Sequence, residues 1–111
     1  MSGKKMDLLR GTLDLLILQV LELQPLHGVA VADRIRQVTK GTFDVPAGSL
    51  FPALHRLEQE GWIEGEWFVD NGRRIKSYAL TASGRKQLAS ERRAWSRTVE
   101  AVGQVIDAAS E

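Results

Sequence analysis

The stretch PAGSLFPALHRLEQEG (Pro46–Gly61), followed by WIEGEWFV (Trp62–Val69), DNG (Asp70–Gly72) and RRIKSYAL (Arg73–Leu80), decides how this chain is read. Pro46 has a fixed φ and no N–H to satisfy, which suits the first turn of a helix. Leu50, Leu54 and Leu57 recur at helical spacing as one buried stripe, and Gly61 is placed to end it, so a helix is expected over residues 46–61. At about 100° per residue the side opposite the leucines holds Ser49, Pro52, Arg56 and Gln59, with Gly48 and His55 at its margin. That side is small, polar and nearly free of acid, so it could lie against a base edge or a phosphate without repelling it. A plain solvated helix face has the same composition. Pro52 is the awkward member, because it removes a ladder hydrogen bond inside the helix.

Residues 62–69 are aromatic and β-branched enough for a strand, and Ile75 to Leu80 form a second. Between them Asp70-Asn71-Gly72 is a strong hairpin signal, since Asn-Gly tolerates positive φ. The expected product is a β wing with its tip over residues 70–76. Arg73, Arg74 and Lys76 lie at that tip and on the return strand, where they could reach phosphates or a minor groove beside the helix.

Upstream, apolar residues at 13, 16, 17, 20 and 21 give a helix with one buried face, which Leu15, Leu18 and Leu23 widen until Gln24-Pro25 ends it. His27-Gly28 turns the chain into a second helix, roughly residues 29–39, with Val31, Ile35 and Val38 inward and Lys40-Gly41 at its close. Downstream, Thr81 is placed to cap a long helix over residues 82–108. Leu88, Trp95, Val99, Val102 and Ile106 form a heptad-like stripe along it. A terminal helix of that length exceeds what so small a domain can cover. A second copy of the chain, meeting Leu15, Leu18, Leu88, Trp95, Val99, Val102 and Ile106, is one cover; the chain's own first helix is the other.

Composition narrows the function. The 111 residues amount to one domain, and 43% hydrophobic with 26% charged residues is ordinary for a folded protein. There is no cysteine, hence no disulfide framework and no thiolate metal site, and a reducing cytoplasm is the expected location. The apolar run Met6 to Leu23 is broken by Asp7, Arg10, Asp14, Gln19 and Glu22, so neither a signal peptide nor a membrane span is expected. The net charge of +1 does not by itself argue for nucleic acid. Its distribution does more, because Lys4, Lys5 and Arg10 cluster at one end and Arg73, Arg74 and Lys76 in the wing, apart from the acidic run Glu58, Glu60, Glu64, Glu66 and Asp70.

Helix, helix, helix, wing and long helix is the winged helix-turn-helix order, and particular residues carry a closer likeness. Asp7-Leu8-Leu9-Arg10-Gly11-Thr12-Leu13, His27-Gly28, Gly48-Ser49-Leu50-Phe51-Pro52-Ala53-Leu54-His55-Arg56-Leu57-Glu58, Gly61-Trp62-Ile63 and Tyr78-Ala79-Leu80-Thr81-Ala82-Ser83-Gly84 together resemble the PadR family of transcriptional regulators. The resemblance implies a mainly α fold with a small β wing: a DNA-binding domain over residues 1–80 and one dimerisation helix over residues 81–111. It further implies a homodimer that binds a near-palindromic operator on double-stranded DNA, usually as a repressor, and that often lets go when a small molecule arrives. The candidate DNA contacts are then Lys4, Lys5, Ser49, Phe51, Pro52, His55, Arg56, Gln59, Arg73, Arg74 and Lys76. Two positions depart from the family pattern. Phe51 stands where tyrosine is common, which loses any phosphate bond from that hydroxyl. Val29 and Ala30 stand where the family favours tyrosine and glycine. In some multidrug-sensing relatives a tryptophan on the last helix stacks on planar ligands, and Trp95 resembles it; tryptophan packed in a dimer seam is the competing role.

Catalysis has little to work with. Nucleophilic chemistry needs an activated side chain beside a base, and metal chemistry needs clustered ligands. The histidines His27 and His55 sit in no ligand motif, and Gly48-Ser49 lacks the second glycine of a nucleophile elbow. No enzyme activity, metal or cofactor is expected. The stronger competitor is a winged helix used only for protein contacts, against which the acid-free helix face and basic wing tip favour DNA.

Overall fold

A computed structural model describes residues 9–109. Helix α1 (Arg10–Leu21) leads into a short strand β1 (Leu26–His27), then α2 (Gly28–Val38) and α3 (Ala47–Gln59). Strands β2 (Ile63–Asp70) and β3 (Arg73–Leu80) follow, and α4 (Ala82–Ala109) ends the described chain. The molecule is mainly α with a small antiparallel sheet ordered β1-β3-β2.

Helix α1 is central because its sequence is apolar on several sides. Leu13, Ile17, Leu18 and Leu21 are buried, and the helix packs on α2, α3, α4 and β3. Val31 and Ile35 of α2 and Leu50, Ala53, Leu54 and Leu57 of α3 complete the centre of the core, which Ile63, Tyr78 and Leu88 close from the wing and α4. Val38 departs from the expected inward stripe and is 63% exposed. It is the last residue of α2, where Lys40 (φ 52°) and Gly41 (φ 82°) already turn the chain away. Pro46 is the residue preceding α3 rather than part of its first turn.

Strand β1 was not expected from sequence. It pairs Leu26 with Tyr78 and His27 with Ser77, so the root of the wing is three-stranded and fixed to the body. His27 also starts α2, its Nδ1 accepting a hydrogen bond from the Ala30 N–H at 3.3 Å. The outer wing is two-stranded. Asn71 and Gly72 both take positive φ, and Asp70 faces Arg73, which sets Trp67 opposite Lys76.

Thr81 caps α4 as expected, accepting from the Gly84 N–H at 2.9 Å while donating to the Gly61 carbonyl at 2.6 Å. Gly84 is required for close approach: a Cβ there would lie 1.9 Å from the Trp62 carbonyl oxygen. Beyond Glu91 the helix leaves the body and gives the molecule its 61 Å long axis. Two residues expected in a dimer seam are corrected here. Leu18 (0% exposed) and Leu88 (1%) are already covered by this chain's own core, because α1 and the start of α4 pack on each other. Leu15 is half-buried against that core.

Candidate nucleic-acid interface

Burying Leu50, Ala53, Leu54 and Leu57 forces the other side of α3 outward. Ser49, Phe51, Pro52, His55 and Gln59 are all exposed there. Pro52 leaves the Gly48 carbonyl without its ladder donor, at a point on the helix open to solvent.

Arg56 does not join them. Its guanidinium reaches sideways to the carboxylate of Asp14 on α1, so its expected role as a free contact is corrected: it ties the outward helix to the central one. Burial pushes the Asp14 carboxyl above its ordinary range, and the hydrogen bond and charge of Arg56 draw it part of the way back. The signal for this partnership was Asp14 itself, an acid inside an apolar run that needs an opposite charge when it folds inward.

On the wing, Arg73 and Arg74 are exposed at the tip. Lys76 is not free. Its ammonium lies 2.8 Å from Glu58 Oε1 on α3, while Glu58 Oε2 accepts from the Gly65 N–H at 3.2 Å. Lys76 therefore braces the wing against α3, which corrects its expected role as a third open clamp. The hydrogen bond from Lys76 holds the Glu58 carboxyl below its usual range, and the same bond raises the Lys76 ammonium. Gly65 makes room for the brace, since a Cβ there would meet the Lys76 stem at 2.2 Å.

Sequence reasoning missed Trp67. The Arg74 guanidinium carbon stands 4.6 Å from its ring centre, and the Lys76 ammonium 5.7 Å. The two-residue turn at Asn71–Gly72 held the clue, because counting back along both strands from it sets Trp67 opposite Lys76. Between α3 and the wing lies a cleft of about 660 Å³ whose lining includes Phe51, His55, Glu58, Trp67 and Arg74.

Lys4 and Lys5 lie outside the described residues. Trp95 (48% exposed), Val99 (52%), Val102 (52%) and Ile106 (62%) form an uncovered apolar stripe on the distal part of α4, which Val105 (70%) widens. Among the described residues, no three side chains of His, Asp and Glu come together to hold a metal ion, and no helix is long and apolar enough to cross a membrane.

Comparison with known proteins adds an independent line. The sequence pattern of the Transcriptional regulator PadR-like family matches residues 17–90. A transcriptional regulator of Mycobacterium tuberculosis, Rv3488, is 37% identical over 59 residues, 53% of this chain and 55% of its own length, so the match spans little more than half of that relative. A transcriptional regulator from Clostridium thermocellum superposes with TM-score 0.81 at 25% identity, over 86% of this chain and 93% of that one. A PadR family transcription regulator from Clostridium difficile gives TM-score 0.74 at 25% identity, over 85% and 97%. One from Eggerthella lenta gives 0.76 at 28%, over 87% and 83%.

Proposed function

The chain belongs to the PadR-like family of transcriptional regulators, and from that premise we propose that it is a repressor that binds a near-palindromic operator as a homodimer. The observation that carries the reading is the shared face of α3 and the wing: an exposed, acid-free helix side from Ser49 to His55, flanked by the exposed guanidinium groups of Arg73 and Arg74. Helix α3 would enter the major groove while the wing arginines brace the neighbouring backbone. Gln59 and Ser49 can read base edges or hold phosphate, and Phe51, Pro52 and His55 complete the surface. Lys4 and Lys5 would extend it electrostatically.

One such face binds weakly, and the uncovered stripe of α4 supplies a reason for two. Joining Trp95, Val99, Val102 and Ile106 to their counterparts in a second copy would remove that stripe from water and set two reading helices about 34 Å apart, one turn of DNA. Repression then follows from occupancy of the operator, in the cytoplasm where the chromosome lies. Any event that changes the angle between the two long helices would release the DNA, because both half-sites must be met at once. A planar molecule stacking between the two Trp95 rings is the effector that this geometry favours. Quenching of Trp95 fluorescence by planar compounds, in a variant with Trp62 and Trp67 changed to Phe, tests that device, and an unquenched signal removes it.

The DNA reading is tested by titrating the protein with duplex from the promoter upstream of its own gene at rising salt. Affinity should fall by orders of magnitude between about 50 and about 200 mM. Arg74→Ala should reduce the salt slope by about one and weaken all sequences alike, whereas Gln59→Ala should change sequence preference. Affinity indifferent to salt would sink the phosphate clamp and favour a protein partner for the same face.

A further inference from the structure

Trp67 is 55% exposed on the wing, beside the exposed Phe68 and Val69, and of the three it is the largest ring in water. It fills no core. The hairpin register gives it a position between two cations: Lys76 directly across the ladder and Arg74 on the diagonal of the same face, paired in the ladder with Val69. The two cations differ in what else holds them. Lys76 is pinned to Glu58 at 2.8 Å and stands near a second ring, 5.3 Å from the centre of Tyr78. Arg74 pairs with no carboxylate among the described residues. Among those residues the Trp67 ring is its partner, 4.6 Å from the guanidinium carbon.

We propose that Trp67 is a positioning residue for DNA binding, whose ring holds the Arg74 guanidinium extended along the wing face, ready to meet a backbone phosphate across the cleft to α3. The proposal rests on the DNA-binding reading above. The chemistry favours arginine in this place, because a guanidinium stacked on an aromatic face keeps N–H edges for a phosphate, whereas an ammonium has no planar fork to offer. An unsupported arginine at the tip of a two-stranded ribbon samples many rotamers and must give them up on binding. The stack restricts those rotamers beforehand. Lys76, braced from below by Glu58, keeps the strand that carries Arg74 at a fixed angle to α3, so the ring and the brace act on one side chain from two directions. Tyrosine or phenylalanine would preserve a face for the cation; alanine would remove it.

The test combines a signal from the free protein with a mutant cycle on duplex DNA. In the wild-type chain, NMR should find the Arg74 δ-methylene protons shifted upfield by the indole ring, and Trp67→Ala should return them to ordinary positions with the thermal melt unchanged. Trp67→Ala should weaken promoter-duplex binding about two- to five-fold, the range of an exposed cation–π contact. Trp67→Phe should recover most of that loss. In an Arg74→Ala background, Trp67→Ala should have no further effect. Equal losses from Trp67→Ala with and without Arg74 would overturn the proposal, since the ring would then act on DNA or on folding by itself, and so would unshifted Arg74 protons in the wild type. Shifted protons in a protein that binds no duplex would overturn the function proposed above, and the phosphate role with it, while the stack itself stood.

Discussion

One apolar stripe runs through both parts of α4, from Leu88 to Ile106, in opposite surroundings. Up to Glu91 the helix lies on the body: Gly84 and Leu88 are buried, and Arg92 reaches back to Glu22 of α1 across 3.7 Å. From Arg92 to Ala109 every residue except Gly103 is exposed, although Trp95, Val99, Val102, Val105 and Ile106 are as apolar as anything in the core. The difference teaches that an apolar stripe records a demand for cover and not its source. The first part is satisfied within the chain. The second extends past every other element, and burying half-exposed side chains of this size contributes on the order of 1 kcal/mol each, enough in two copies to support association.

Each part can be broken separately. Leu88→Ala removes a fully buried side chain and should destabilise the fold by about 2–5 kcal/mol, read as a lower denaturant midpoint. If the near part were instead a dimer contact, that loss would depend on protein concentration. Val102→Asp should leave the fold intact by circular dichroism, convert the proposed dimer to monomer in sedimentation, and weaken operator binding about a hundredfold by uncoupling the two half-sites. Unfolding of the body by Val102→Asp would erase the distinction between the two parts.

A smaller effect, from the wing, sharpens the comparison by leaving both parts of α4 alone. Glu58→Gln loosens the brace to Lys76 and should cost no more than about 1 kcal/mol, since both side chains are a quarter or more exposed. The pH dependence has a definite sign. Glu58 is held below its ordinary value of 4.5 in the folded chain, so its contribution is complete above that pH and is lost as the pH falls through the lower folded value. Wild type and Glu58→Gln should therefore converge in stability on acidification, without change in oligomeric state.

Much of the architecture was legible because local chemistry dictated it. Leu50, Leu54 and Leu57 could face one way along a helix, and Asn71–Gly72 could make a tight hairpin, whatever surrounded them. Strand β1 was not legible, since two residues, Leu26 and His27, carry no alternation to detect. The site was read in part for a related reason. Helical phase sent Arg56 outward, but a long side chain is not bound to its Cα direction, and its partner Asp14 lies 42 residues away. Lys76 was similarly claimed by Glu58, 18 residues earlier. Exposed arginines at a turn could be found from sequence, while ion pairs across elements depend on the packing that brings those elements together. Leu18 and Leu88 were assigned to a partner for the same reason, as spacing cannot say which surface supplies the cover.

Selection of bound sequences from random duplex DNA by the full chain tests the central claim most directly. An inverted repeat whose half-sites are centred about 10 base pairs apart, one helical turn, should be enriched, and the enrichment should be lost in Val102→Asp. A single unrepeated site, or no enriched sequence at all, would contradict a dimer that reads DNA with paired helices.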